Sequence, residues 1–245
     1  MHITHAAHRS LVRTTAVPLP GAMSSLIAAY KASAPLTSAT FLQSLKADPS
    51  LAREVDAATG CTPLHLAACG AAPLPVIQAL LSANKKAAST KDNEGNLPVH
   101  GAVANGADAA VVDALLGAHP EGVSTLCGRH TLLHSAACNG ATLQTVRLLL
   151  KRWPQAAAEV DEQNNTPLHF AAACKAPPEV VQALLEANPA AASKRGQMGR
   201  YPLSLALLCE APPKSVEIIQ AAHPAAIREE CITADYLNHG LGVAS

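Results

Sequence analysis

The amino-acid sequence predicts an all-α solenoid of stacked helix–turn–helix units with long loops between repeats. Three observations carry that prediction. First, a short motif recurs in register, as "GCTPLHLAAC", "GNLPVHGAVA", "RHTLLHSAAC", "NNTPLHFAAA" and "GRYPLSLALL". Its proline slot falls at Pro63, Pro98, Leu132, Pro167 and Pro202, in steps of 35, 34, 35 and 35 residues. Second, an apolar stripe follows each motif in step: Val76-Ile77 with Leu80-Leu81, Val111-Val112 with Leu115-Leu116, Val146 with Leu149-Leu150, Val180-Val181 with Leu184-Leu185, then Val216 and Ile219. Positions i, i+1, i+4 and i+5 share one helix face. Third, hydrophobic residues make up 49 % of the chain but aromatics only 2 %, so the apolar content is mainly Ala, Leu and Val, which suits short helices packed through small side chains.

Taken in order, residues 1–21 hold two arginines, several Ser/Thr and no acid. That composition fits an organelle transit peptide or a disordered leader, with Met23 an alternative start. Residues 22–58 read as an N-terminal capping repeat, with a first helix over 26–34 and a second over "FLQSLKADPS" (Phe41–Ser50). Five units follow, at 59–94, 95–128, 129–163, 164–198 and 199–228, and residues 229–245 form a C-terminal cap or tail. A lone helix of about ten residues is marginal in water. Each unit therefore gains stability by stacking on its neighbours.

Prolines mark both ends of the second helices. Pro73, Pro177 and Pro212 share a slot at the start, where a first-turn N–H has no intrahelical partner to lose. Pro120, Pro154, Pro189 and Pro224 share a slot just past the end, where proline stops the helix.

The Thr-Pro-Leu-His-x-Ala pattern and its period resemble ankyrin repeats, over roughly residues 59–228. The units are slightly longer than the usual ankyrin repeat. The resemblance implies an ankyrin-repeat solenoid in which first helices and loop tips line a concave side. It also implies a structural role for the recurring histidine.

Histidines His65, His100, His134 and His169 occupy one slot. A row of metal ligands or bases is one reading. The structural reading has Thr62, Thr131 and Thr166 capping first helices and Pro63 and Pro167 opening them, while the imidazole ties the turn to a neighbouring hydroxyl or backbone group. Stacked units space the rings about 10 Å apart, too far for one metal to bridge. The structural reading is preferred. The fifth unit has Tyr201 and Ser204 in the Thr and His slots, which reads as the relaxed sequence of an edge unit, with a changed binding surface the alternative.

The seven cysteines are odd in number and form no C-x-x-C pair, so they read as free thiols in a reducing compartment. Cys69 and Cys138 share one slot, and Cys174 and Cys209 the next, where small residues suit closely approaching helices. Cys127, beside Arg129 in a loop, is the candidate exposed thiol. His2, His5 and His8 lack a nearby Cys or acid to complete a zinc set and read as part of a tail. "DNEG" at Asp92–Gly95 reads as a loop turn rather than a calcium loop.

The sequence contains no G-x-S-x-G, P-loop, G-x-G-x-x-G or H-E-x-x-H motif. Its net charge is zero, which argues against nucleic acid, and it has no run of about 18 apolar residues to span a membrane. The charge is uneven: residues 1–47 carry four bases and no acid, the remainder 14 bases and 18 acids. Expected is a monomeric, non-catalytic protein-interaction module that needs no cofactor or metal. It is placed inside the cell, in the cytoplasm or, through its N-terminus, in an organelle. An adaptor or regulatory subunit bringing a client to an enzyme on another chain is the alternative, and an uncatalogued enzyme the remote one. Candidate partner-binding residues are those that the repeat does not require: Asn93, Glu94, Arg129, Gln163, Asn164, Gln197, Met198 and Arg200 in loop tips, and Asn105, Asn139 and Lys175 near first-helix ends.

Overall fold

A computed structural model describes residues 25–31 and 39–229. The leader, the alternative start at Met23, the His2/His5/His8 spacing and all but the first residue of the C-terminal segment lie outside the described residues.

The chain forms two parallel layers of short helices. The N-terminal unit comprises α1 (Leu26–Lys31) and α2 (Ala39–Ala47), closed by a 3-10 turn over Pro49–Arg53. First helices of the five following units are α3 (Pro63–Cys69), α5 (Pro98–Ala104), α7 (Leu132–Cys138), α9 (Pro167–Ala173) and α11 (Pro202–Leu208). Second helices are α4 (Leu74–Ala83), α6 (Ala109–Ala118), α8 (Leu143–Arg152), α10 (Pro178–Ala187) and α12 (Pro213–Ala222). A short α13 (Ala226–Glu229) ends the described part. Each first helix packs on the next first helix, and each second on the next second. Between them lies one continuous core of aliphatic side chains, including Leu64, Ile77, Leu80, Val112, Leu133, Leu149, Leu168, Leu184 and Ile219.

First helices are seven residues long and second helices ten in each of these units. Local sequence sets both lengths. Each first helix ends in a left-handed residue, at Ala71, Gly106, Gly140, Lys175 and Glu210. The following alanine then donates its N–H five residues back, as in Ala72 to Ala67 and Ala176 to Ala171, both at 2.9 Å. This is the Schellman closure, which occupies otherwise orphaned carbonyls. Those alanines, Ala72, Ala107, Ala141, Ala176 and Ala211, are buried. The slot was not visible in the sequence because glycine fills it only twice.

The second proline slot does more than stop a helix. Pro49, Pro120, Pro154 and Pro189 each open a 3-10 turn immediately after the break. The break residue is extended, with φ between −140° and −149° at Asn84, His119, Trp153 and Asn188. At His119, Trp153 and Asn188 a following proline favours extended backbone, whereas Asn84 adopts it ahead of Lys85. Asn84 and Asn188 use it to donate to the Ala52 and Ala157 carbonyls of the preceding unit, at 3.1 and 2.9 Å. The long loop after each turn is drawn into a narrow finger, of which Cys127–His130 is the tightest, with both backbone bonds of a two-residue hairpin.

Candidate functional site

The histidine row is buried, each ring 0–4 % exposed. In His65, Nδ1 accepts the Thr62 N–H at 3.1 Å and lies 2.9 Å from Thr62 Oγ1, while Nε2 donates to the Asn96 carbonyl of the next unit at 3.1 Å. His134 repeats this with Thr131 and the Asn165 carbonyl. His100 accepts from Leu97 N–H and donates to the Thr125 carbonyl. His169 accepts from Thr166 N–H, but its Nε2 has no partner within hydrogen-bond limits. An Nδ1 that faces an N–H must be the bare nitrogen, so partners assign the neutral Nε2–H tautomer. Desolvation lowers the pKa of all four, to about 4 for His134 and His169, and at His65, His100 and His134 it outweighs the opposing pull of the bonded carbonyl. These rings therefore hold their units together as neutral groups at pH 7. Thr62 and Thr131 accept from the N–H of His65 and His134, and Pro63 and Pro167 occupy the first helical position.

The fingers share a plan. The first residue donates its N–H to the carbonyl at the far side: Asp56 to Cys61, Asp92 to Asn96, Asp161 to Asn165 and Gly196 to Arg200, at 2.8–3.0 Å. Asp92 Oδ1 also accepts from the Glu94 and Asn96 N–H groups, and Asp161 Oδ1 from those of Gln163 and Asn165. Left-handed Gly60, Gly95, Gly128, Asn164 and Gly199 turn the tips.

Neighbouring fingers are tied to each other. Asn93 Nδ2 donates to the Ala58 carbonyl at 3.1 Å, and its own N–H to that of Thr59. Arg129 meets Glu162 at 3.3 Å. Asn164 Nδ2 donates to the Arg195 carbonyl at 2.6 Å. Three of the sequence-level candidates thus bind a neighbouring finger of the same chain. Asn105 and Asn139 cap their own helices, donating to the Gly101 and Ser135 carbonyls. Lys175 is the left-handed residue after α9, with its ammonium 4.0 Å from Glu210. Glu94, Gln163, Gln197 and Met198 are exposed at the tips, Met198 at 78 %, and Arg200 is half-buried.

Further side chains line the first-helix face. The half-buried Phe170 ring stands edge-on to His130 and His134, with centroids 5.2 Å apart in both cases, and Leu208 is exposed. Phe170 is not among the candidates read from the sequence; it fills the variable position of Thr-Pro-Leu-His-x-Ala, and a large residue in that slot is the signal that could have found it.

The expectation of seven free thiols is corrected. A disulfide joins Cys138, the last residue of α7, to Cys174, just past α9, with Cα atoms 5.1 Å apart. The two slots are adjacent in the repeat, and stacking sets them face to face across adjacent first helices, within the usual disulfide span. Cys127 is also not an open thiolate. It is half-buried, its S–H donates to Asn96 Oδ1 at 2.6 Å, and burial with nearby Asp92 and Glu94 pushes its pKa up. Burial pushes Cys69 to about 11. Nucleophilic sulfur chemistry needs the opposite shift.

The family model for ankyrin repeats in three copies matches residues 99–195, and the model for a single ankyrin repeat matches residues 59–91. No curated protein matches the chain.

Proposed function

Because this chain belongs to the ankyrin-repeat family, whose members generally serve as protein-interaction modules, we propose that it binds a protein partner, without catalysis, through its finger tips and the open face of its first helices. One observation carries the reading: the hydrogen bonds from Asn93 and Asn164 to backbone carbonyls of neighbouring fingers hold those fingers in fixed relation. A surface ordered before binding avoids part of the entropy loss that association imposes. The histidine row supports a non-catalytic reading, because its Nδ1 atoms are all engaged inside the stack.

The test is affinity capture with mass spectrometry, using the full chain and a variant with Glu94, Gln163, Gln197 and Met198 all changed to alanine. These side chains are exposed, so the variant should unfold at the same denaturant concentration and lose the partner. If Arg147→Glu with Lys151→Glu on the outer face of α8 removed the partner instead, the finger surface would not be the binding face.

A further inference from the structure

We propose that the fifth finger, residues 194–200, is the docking tip for an acidic peptide segment carrying an apolar side chain. This rests on the protein-binding reading above and gives it a partner chemistry. The finger reads "KRGQMGR", with three bases and no acid. The absence of acid at its first turn position follows from packing. The slot held by Asp92 and Asp161 in other fingers is Gly196 here, and a Cβ at Gly196 would collide with Asn165 Oδ1 and with His169, whose Cδ2 lies 2.7 Å from that position. No carboxylate fits. Asn165 Oδ1 of the preceding unit takes over the acceptor role, receiving the Gln197 N–H at 2.9 Å.

The cationic tip is ordered. Arg195 Nη1 donates to the Gly199 carbonyl at 2.8 Å, and the guanidinium lies 4.2 Å from the centroid of the Tyr201 ring. Between Arg195 and Arg200, Met198 is held left-handed at φ 58° and is 78 % exposed. A left-handed non-glycine residue is uncommon, and methionine is an adaptable apolar contact. The tip thus offers cations around one apolar side chain. Acidic peptide matches this better than nucleic acid. Bases stack on exposed rings, whereas Tyr201 is buried.

The experiment uses the full chain and a fluorescein-labelled peptide of glutamates flanking one leucine, followed by polarisation. Binding should weaken by about tenfold in Lys194→Glu with Arg200→Glu, weaken with added salt, and weaken in Met198→Ser. Arg147→Glu with Lys151→Glu on α8 should leave it unchanged. The proposal is overturned if the peptide does not bind, if a glutamine-for-glutamate peptide binds as well, if the α8 reversal weakens binding equally, or if a single-stranded oligonucleotide competes as effectively as unlabelled peptide. The two readings separate in the capture experiment. If the finger-tip alanine variant loses its partner but the Lys194/Arg200 reversal keeps it, protein binding stands and this inference fails.

Discussion

His134 shows what a single residue contributes to this array. Its Nδ1 takes the Thr131 N–H and its Nε2 reaches across to the Asn165 carbonyl, so one ring closes a turn and joins two units. The site is fully buried, so water cannot replace either partner. His134→Ala should therefore leave a donor and an acceptor stranded and lower stability by about 2–3 kcal/mol. Urea unfolding measures this as a lower midpoint, and an unchanged midpoint would show that the tie carries no net energy. The sequence made the neighbouring hydroxyl or backbone the expected partner of this ring. It did not say that the far partner would be the carbonyl just ahead of the next unit's cap, because that pairing depends on how units stack.

Legibility changes at the level of elements. The period and the Val/Leu stripes located the five helix pairs, since both depend on local spacing. The closures between helices were hidden, because they are set by backbone conformation and five different sequences adopt one shape. Ala71, Gly106, Gly140, Lys175 and Glu210 all sit left-handed. Lys175 was a candidate contact residue for a related reason: a residue that breaks the pattern can mark either a binding site or a tolerated strain. One variant tests the strain role. Lys175→Gly should stabilise the protein by about 1 kcal/mol by relieving the left-handed penalty, which thermal unfolding would register as a higher midpoint. A lower midpoint would mean that the lysine side chain supports the turn. The disulfide was hidden for a different reason, since it joins positions 36 apart in sequence that only stacking brings together. Reduction should release two thiols in a thiol titration and lower stability by about 2–4 kcal/mol. Cys174→Ser should reproduce the loss without reductant. No change in thiol count on reduction would remove the bridge from the account.

Across the whole molecule, the histidines act together because the repeat places one neutral, buried ring in each of four units. For His134 and His169 the folded pKa is about 4 against an ordinary 6.5, and His65 and His100 shift the same way. Below the ordinary value the unfolded chain binds protons that the folded chain refuses, so stability falls as pH falls. The stabilisation is complete above pH 6.5 and is lost progressively down to about pH 4. Each of the two strongly shifted rings contributes a slope of about 1.4 kcal/mol per pH unit. Urea midpoints should therefore drop steadily from neutrality to about pH 5, with a smaller drop in a His134→Gln variant. Because the shift comes mainly from desolvation, added salt should barely alter the slope. That separates it from the exposed Arg129–Glu162 pair, whose small contribution salt removes. The position of the effect matters too. His134 spans the junction between the third and fourth units, which the Cys138–Cys174 disulfide also spans. In a stack where each unit touches only its neighbours, weakening one junction can divide the array. Acid and reductant should thus combine to expose amides at α7 and α9 earlier than those at α3, as hydrogen exchange would resolve. Uniform exposure along the stack, or midpoints that stay level between neutrality and pH 5, would rule out the neutral histidine row as the source of acid sensitivity.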